Sequence, residues 1–129
     1  MPRSADTAAL PLPRPRWDGT AIRPTVATID LGALAWNFRQ LRAWARADVL
    51  AVVKADAYGH GAVECARRLE REGVRFLGVA LTEEGLTLRE AGISAPILVL
   101  GGAYGDRWDL LVAHDLTPVV FRPEHLEGL

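Results

Sequence analysis

Lys54 is the single lysine of a 129-residue chain whose other basic residues are all arginines. It follows an apolar run, Val49-Leu50-Ala51-Val52-Val53, and precedes a polar, Gly-rich stretch, Ala55-Asp56-Ala57-Tyr58-Gly59-His60-Gly61. Arginine cannot replace lysine where an amine must lose its proton and attack a carbonyl, because guanidinium stays charged and its nitrogens are poor nucleophiles. A lone lysine at the end of a buried strand therefore fits Schiff-base chemistry. It also fits a strand-end lysine whose stem packs while its ammonium reaches solvent. The amine alone does not separate the two.

Other reactive side chains carry less. His60, between two glycines, has the spacing of a catalytic base. His60, His114 and His125 are scattered without cysteine or carboxylate partners at ligand spacing, which argues against a metal site. Gly101-Gly102-Ala103-Tyr104-Gly105 sits between a strand-like and a helix-like segment, as a phosphate loop would, but lacks the G-x-G-x-x-G spacing. Cys65, the one cysteine, cannot form an internal disulfide and fits a reducing compartment. A net charge of −1 with mixed signs leaves no footprint for nucleic acid or an anionic membrane. No apolar run approaches the roughly 18–20 residues that span a bilayer.

The elements that must position Lys54 are readable from periodicity. Residues 1–24 hold most of the chain's 8 prolines, show no helical or strand period, and form a separate flexible extension. Residues 25–48 read as a short strand, Thr25–Asp30, and a helix with Leu31, Leu34, Phe38 and Leu41 on one face and Arg39, Arg42 and Arg46 on the other. Residues 49–129 hold four apolar β-rich segments: Val49–Val53, Phe76–Ala80, Ile97–Leu100 and Pro118–Phe121. Between them, Gly73 and Gly92 sit where C-terminal helix caps belong; Thr82 with Glu83 and Glu84, and Asp106, look like helix starts, and Pro123 opens a last helix. Arg67, Arg68, Glu70, Arg71 and Glu72 read as a solvated helix face. Continuous apolar strands predict a parallel α/β sheet covered on both faces. Periodicity does not choose between a doubly wound sheet and a (β/α)8 barrel.

The run Val52-Val53-Lys54-Ala55-Asp56-Ala57-Tyr58-Gly59-His60-Gly61 strongly resembles the cofactor-lysine motif of alanine racemases. Ile29-Asp30-Leu31, Asn37, Leu88-Arg89-Glu90-Ala91-Gly92-Ile93 and Ala95-Pro96-Ile97-Leu98-Val99-Leu100-Gly101 extend the likeness from about Arg23 onward. The resemblance implies a partial (β/α)8 barrel binding pyridoxal 5'-phosphate, cut after about four strand–helix units. The 25–30 strand would lie outside it, packed on a C-terminal β domain. It implies an amino-acid racemase that interconverts L- and D-alanine, supplies D-alanine for peptidoglycan, acts in the cytoplasm and works as a homodimer on a small amino acid. Lys54 is then both the Schiff-base lysine and the base on one substrate face, Tyr58 a hydrogen-bond donor to the cofactor phosphate, and Leu100 an apolar wall of the cofactor ring. His60 belongs to the motif as a structural loop residue. A sibling racemase acting on serine, lysine or several amino acids, and a non-catalytic truncated barrel, remain alternatives. The 129-residue piece alone is expected to be inactive, because the opposite-face acid and most phosphate ligands would lie beyond Leu129.

Overall fold

Four short parallel strands, β1 (Leu50–Val52), β2 (Phe76–Val79), β3 (Ile97–Val99) and β4 (Leu116–Pro118), lie side by side in chain order. The computed structural model describes residues 18–20, 24–105 and 107–129. Most of the proline-rich stretch, and Asp106 with its expected helix start, fall outside them. α1 (Leu31–Ala45) precedes β1. α2 (Lys54–Gly59) and α3 (Ala62–Arg71) join β1 to β2, α4 (Thr82–Glu90) joins β2 to β3, α5 (Trp108–Ala113) joins β3 to β4, and α6 (Glu124–Gly128) comes last. A doubly wound sheet reverses its strand order at a switch point. Here every strand pairs with the next and nothing reverses, as in the first units of a (β/α)8 barrel.

Helices cover only one face of this sheet. Val53, Leu77, Val79, Ile97, Val99 and Leu116 are buried in one cluster with Phe38, Leu69, Leu88 and Leu111 from the helices. On the other face, Leu50 and Val52 are each 37% exposed, and Leu100 is 38% exposed. The expectation of a sheet covered on both faces is corrected accordingly. A barrel turns that second face inward, where opposite strands rather than helices cover it.

The helix ends obey local chemistry. Asp30 Oδ1 accepts from the Gly32 and Ala33 amides at 2.8 and 2.9 Å and caps α1. At the end of α3, Gly73 N–H donates to Glu70 O at 3.0 Å and Val74 N–H to Leu69 O at 3.1 Å. At the end of α4, Gly92 N–H reaches Arg89 O at 2.9 Å and Ile93 N–H reaches Leu88 O at 3.0 Å. These paired bonds require a left-handed residue, and Gly73 and Gly92 supply φ of 76° and 83°.

Residues 25–30 are extended and pair with no described strand. Three further expectations need correction. The fourth strand begins two residues early, at Leu116, which pairs with Ile97. Pro118 ends it because proline has no N–H for the ladder, although Val119 N–H still donates to Val99 O at 3.0 Å. Leu41 is 56% exposed beside a cleft along β1, so the packed stripe of α1 ends at Phe38. The charged face of α3 is not merely solvated. Glu72 pairs with Arg39 of α1 at 2.7 Å, and Glu70 Oε1 accepts from the Ser94 hydroxyl and from the Ser94 and Ala95 amides at 2.7–2.8 Å.

At the N-terminal ends of the strands, Arg89 gathers four carbonyls: Ile93 at 2.7 Å, Ala95 at 2.8 Å, Asp115 at 2.9 Å and His114 at 3.0 Å. One guanidinium thereby joins the loops entering β3 and β4. No helix among the described residues is long and apolar enough to cross a membrane.

Candidate active site

Lys54 stands at the C-terminal end of β1. Val53 N–H donates to Gly78 O at 2.8 Å, so the ladder runs one residue past the strand. Extending the register of Val52 with Gly78 and of Gly78 with Leu98 by one alternation puts Lys54, Ala80 and Leu100 in one row. Leu100 therefore stands two strands from the lysine on the inward face, about 10 Å away at the usual strand spacing.

The segment after Lys54 is not the irregular loop that its glycines foreshadow. Ala55, Asp56, Ala57 and Tyr58 all have φ of 50–54° and ψ of 38–51°, which makes α2 one left-handed turn built without glycine. Such residues cost about 1–2 kcal/mol each. They persist only where surrounding bonds fix them, and they cluster at functional sites. Here Ala57 N–H donates to Val53 O at 2.9 Å, and Gly61 N–H to Asp56 O at 2.9 Å. Asp56 Oδ1 takes the Ala62 amide at 2.7 Å, and His60 Nδ1 lies 2.8 Å from Ala57 O. His60 is thus occupied in holding the turn.

Glu84 fixes the entrance to the turn. Its Oε1 accepts from Ala55 N–H at 2.7 Å, and its Oε2 accepts from Ala80 and Leu81 N–H at 2.7 and 3.1 Å. Burial pushes this carboxyl up, but the donors Ala55, Leu81 and Ala80, together with the nearby Lys54 charge, outweigh it and hold the group below its ordinary value. Sequence reasoning saw Glu84 only as part of a helix start. Its position three residues after Leu81 was the available signal; the reach back to Ala55 was not legible.

The Lys54 side chain is half-buried, and no hydrogen bond or ion pair engages its ammonium among the described residues. Tyr58 is 60% exposed, which sets aside a core-packing role, and its hydroxyl is equally unengaged among the described residues. Tyr58 and His60 border a cleft of about 580 Å³ with Asn37 and Val52, along the unpaired side of β1. Lys54 is not among the residues that line that cleft. No cluster of His, Cys, Asp and Glu among the described residues could hold a metal ion.

The family model for the alanine racemase N-terminal domain matches residues 29–129. The chain belongs to the alanine racemase N-terminal domain family. It is similar to an alanine racemase of Xanthomonas axonopodis pv. citri, 50% identical over 109 residues that make up 84% of this chain and 30% of the relative. Among solved structures it resembles the Clostridium difficile alanine racemase, with a TM-score of 0.75 and 39% identity over 84% of this chain and 31% of that one. It also resembles the Bartonella henselae alanine racemase, with a TM-score of 0.71 and 32% identity over 77% of this chain and 28% of that one. The Bartonella structure carries covalently bound pyridoxal phosphate. The chain spans about 30% of the length of the curated relatives it matches. Its donor set fits the same group. An aldehyde needs a free amine, a phosphate accepts from a phenol, and an aromatic ring packs against an apolar wall such as Leu100.

Proposed function

We propose that this chain is the lysine-bearing part of an amino-acid racemase that holds pyridoxal phosphate through Lys54 and interconverts L- and D-alanine. The carrying observation is the unengaged Lys54 amine on the C-terminal rim of β1, in one register row with Leu100 and followed by a rigid left-handed turn. That rim is where barrel enzymes place their chemistry. When bound, pyridoxal phosphate supplies an aldehyde that condenses with an amine and a ring that spreads the charge left when the substrate Cα–H proton departs.

The residues of this chain do the rest. Lys54 would hold the group through Nζ, and the same amine, when free, would serve as the base for the Cα proton on one face. The Tyr58 hydroxyl would donate to a phosphate oxygen, and Leu100 would offer an apolar wall to the ring. Inversion needs an acid on the opposite face. That acid would come from polypeptide outside these residues, contributed by a partner subunit in a homodimer.

The test is conversion of L-alanine into D-alanine with added cofactor. A polypeptide that continues through the rest of the barrel and its C-terminal domain is expected to turn over, and residues 1–129 alone are not. Absence of turnover in the longer protein, with serine or lysine racemised instead, would replace alanine as the substrate. Comparable turnover by residues 1–129 would show that polypeptide outside these residues is not required.

A further inference from the structure

We propose that Glu84 is a positioning residue for Lys54, holding the peptide that comes after the lysine, and with it the left-handed turn, in the conformation that presents the amine. The inference rests on the reading of Lys54 as the cofactor lysine. It goes beyond that reading by assigning a residue from the next strand–helix unit to the lysine's support.

A glutamate that only started α4 would need bonds to the amides at its own helix entrance. Oε2 alone makes those, to Ala80 and Leu81. Oε1 instead reaches back 29 residues to the Ala55 amide. That N–H belongs to the peptide whose carbonyl is Lys54's own, so the bond fixes the plane on which the lysine side chain is mounted. Ala55 is also the first of the four left-handed residues, the point at which the turn would relax if released. Three donors converge on the two oxygens, and a carboxylate is acceptor-only. Glutamine cannot substitute, because its amide nitrogen would face either Ala55 N–H or the Ala80 and Leu81 pair as donor against donor. Aspartate keeps an acceptor-only group for α4 but is one methylene too short to hold Ala55 as well.

The test compares wild type, Glu84→Gln and Glu84→Asp in the full-length protein. Amide hydrogen exchange is measured before pyridoxal phosphate is added, and attachment of the cofactor to Lys54 is measured afterwards by reductive trapping. Losing a hydrogen bond to a charged acceptor should accelerate exchange from Ala55 to Gly61 about 10- to 100-fold and weaken attachment by a similar factor. Amides of β3 and β4 should keep their protection. The Asp variant separates this from misfolding, since it should loosen the 55–61 segment while leaving α4 protected. Unchanged exchange at Ala55 and unchanged attachment in both variants would overturn the proposal. So would a uniform rise across β3 and β4, which would mark Glu84 as a general fold residue. A wild-type label away from Lys54 is a different result: it would remove the cofactor-lysine reading, and the positioning role would fall with it.

Discussion

The Tyr58 hydroxyl engages no described residue, and its ring is 60% exposed, so removing the hydroxyl should not disturb the core. If that hydroxyl holds a phosphate oxygen, Tyr58→Phe in the full-length protein should weaken cofactor retention by about 1.5–3 kcal/mol, the contribution of one hydrogen bond to a charged group. The thermal midpoint of the cofactor-free protein should not move. Cofactor titration of the two proteins measures this, and equal affinities would leave Tyr58 without a role in binding. At this scale the sequence was eloquent about Lys54, since a lone lysine among arginines stands out and its motif is specific. It was less informative about Leu100, because a strand leucine is core by default; only the register row places it on the lysine's face of the sheet, two strands away. Glu84 shows a different limit. Its partner Ala55 lies one strand away, and no local spacing encodes a bond that depends on how β1 and β2 pair.

Elements were legible where local rules decide them. Gly73 and Gly92 announced the ends of α3 and α4 because left-handed caps favour glycine. The apolar runs announced β1, β2 and β3 because a buried parallel strand has no polar face. β4 was displaced because its most apolar run begins at a proline, which cannot donate, while Leu116 two residues earlier was free to pair. The left-handed α2 was invisible for the opposite reason: Ala55, Ala57 and Tyr58 disfavour positive φ, and tertiary bonds impose it. Arg89 is the element-scale counterpart of Glu84, joining loops at the far end of the strands from the lysine. Its side chain is 13% exposed and occupied by four carbonyls. Arg89→Ala should destabilise the full-length protein by about 2–4 kcal/mol, since several carbonyls lose a charged donor at once. Arg89→Lys should recover only part of that, because an ammonium lacks the planar fork that serves both loops. Chemical denaturation monitors both variants, and a loss under about 0.5 kcal/mol for alanine, typical of a surface site, would show that water replaces the clamp.

At the scale of the whole molecule, the strand order β1-β2-β3-β4 without reversal is what separates a barrel from a doubly wound sheet, and no composition or periodicity could supply it. Leu50, Val52 and Leu100, 37–38% exposed, lie on the face that a barrel turns inward. A barrel rim also imposes selectivity, since it fixes which amine meets a bound aldehyde. The most direct measurement therefore uses a polypeptide that continues through the rest of the barrel, so that any further lysines can compete. Condensation of an amine with the aldehyde of pyridoxal phosphate releases water and leaves a C=N bond, to which borohydride adds hydride and makes the attachment permanent. Digestion and peptide mapping should then place the pyridoxyl group on the peptide containing Lys54, at close to one per chain. Recovery of the label on any other lysine, with the Lys54 peptide unmodified, would contradict the assignment of Lys54 as the cofactor lysine.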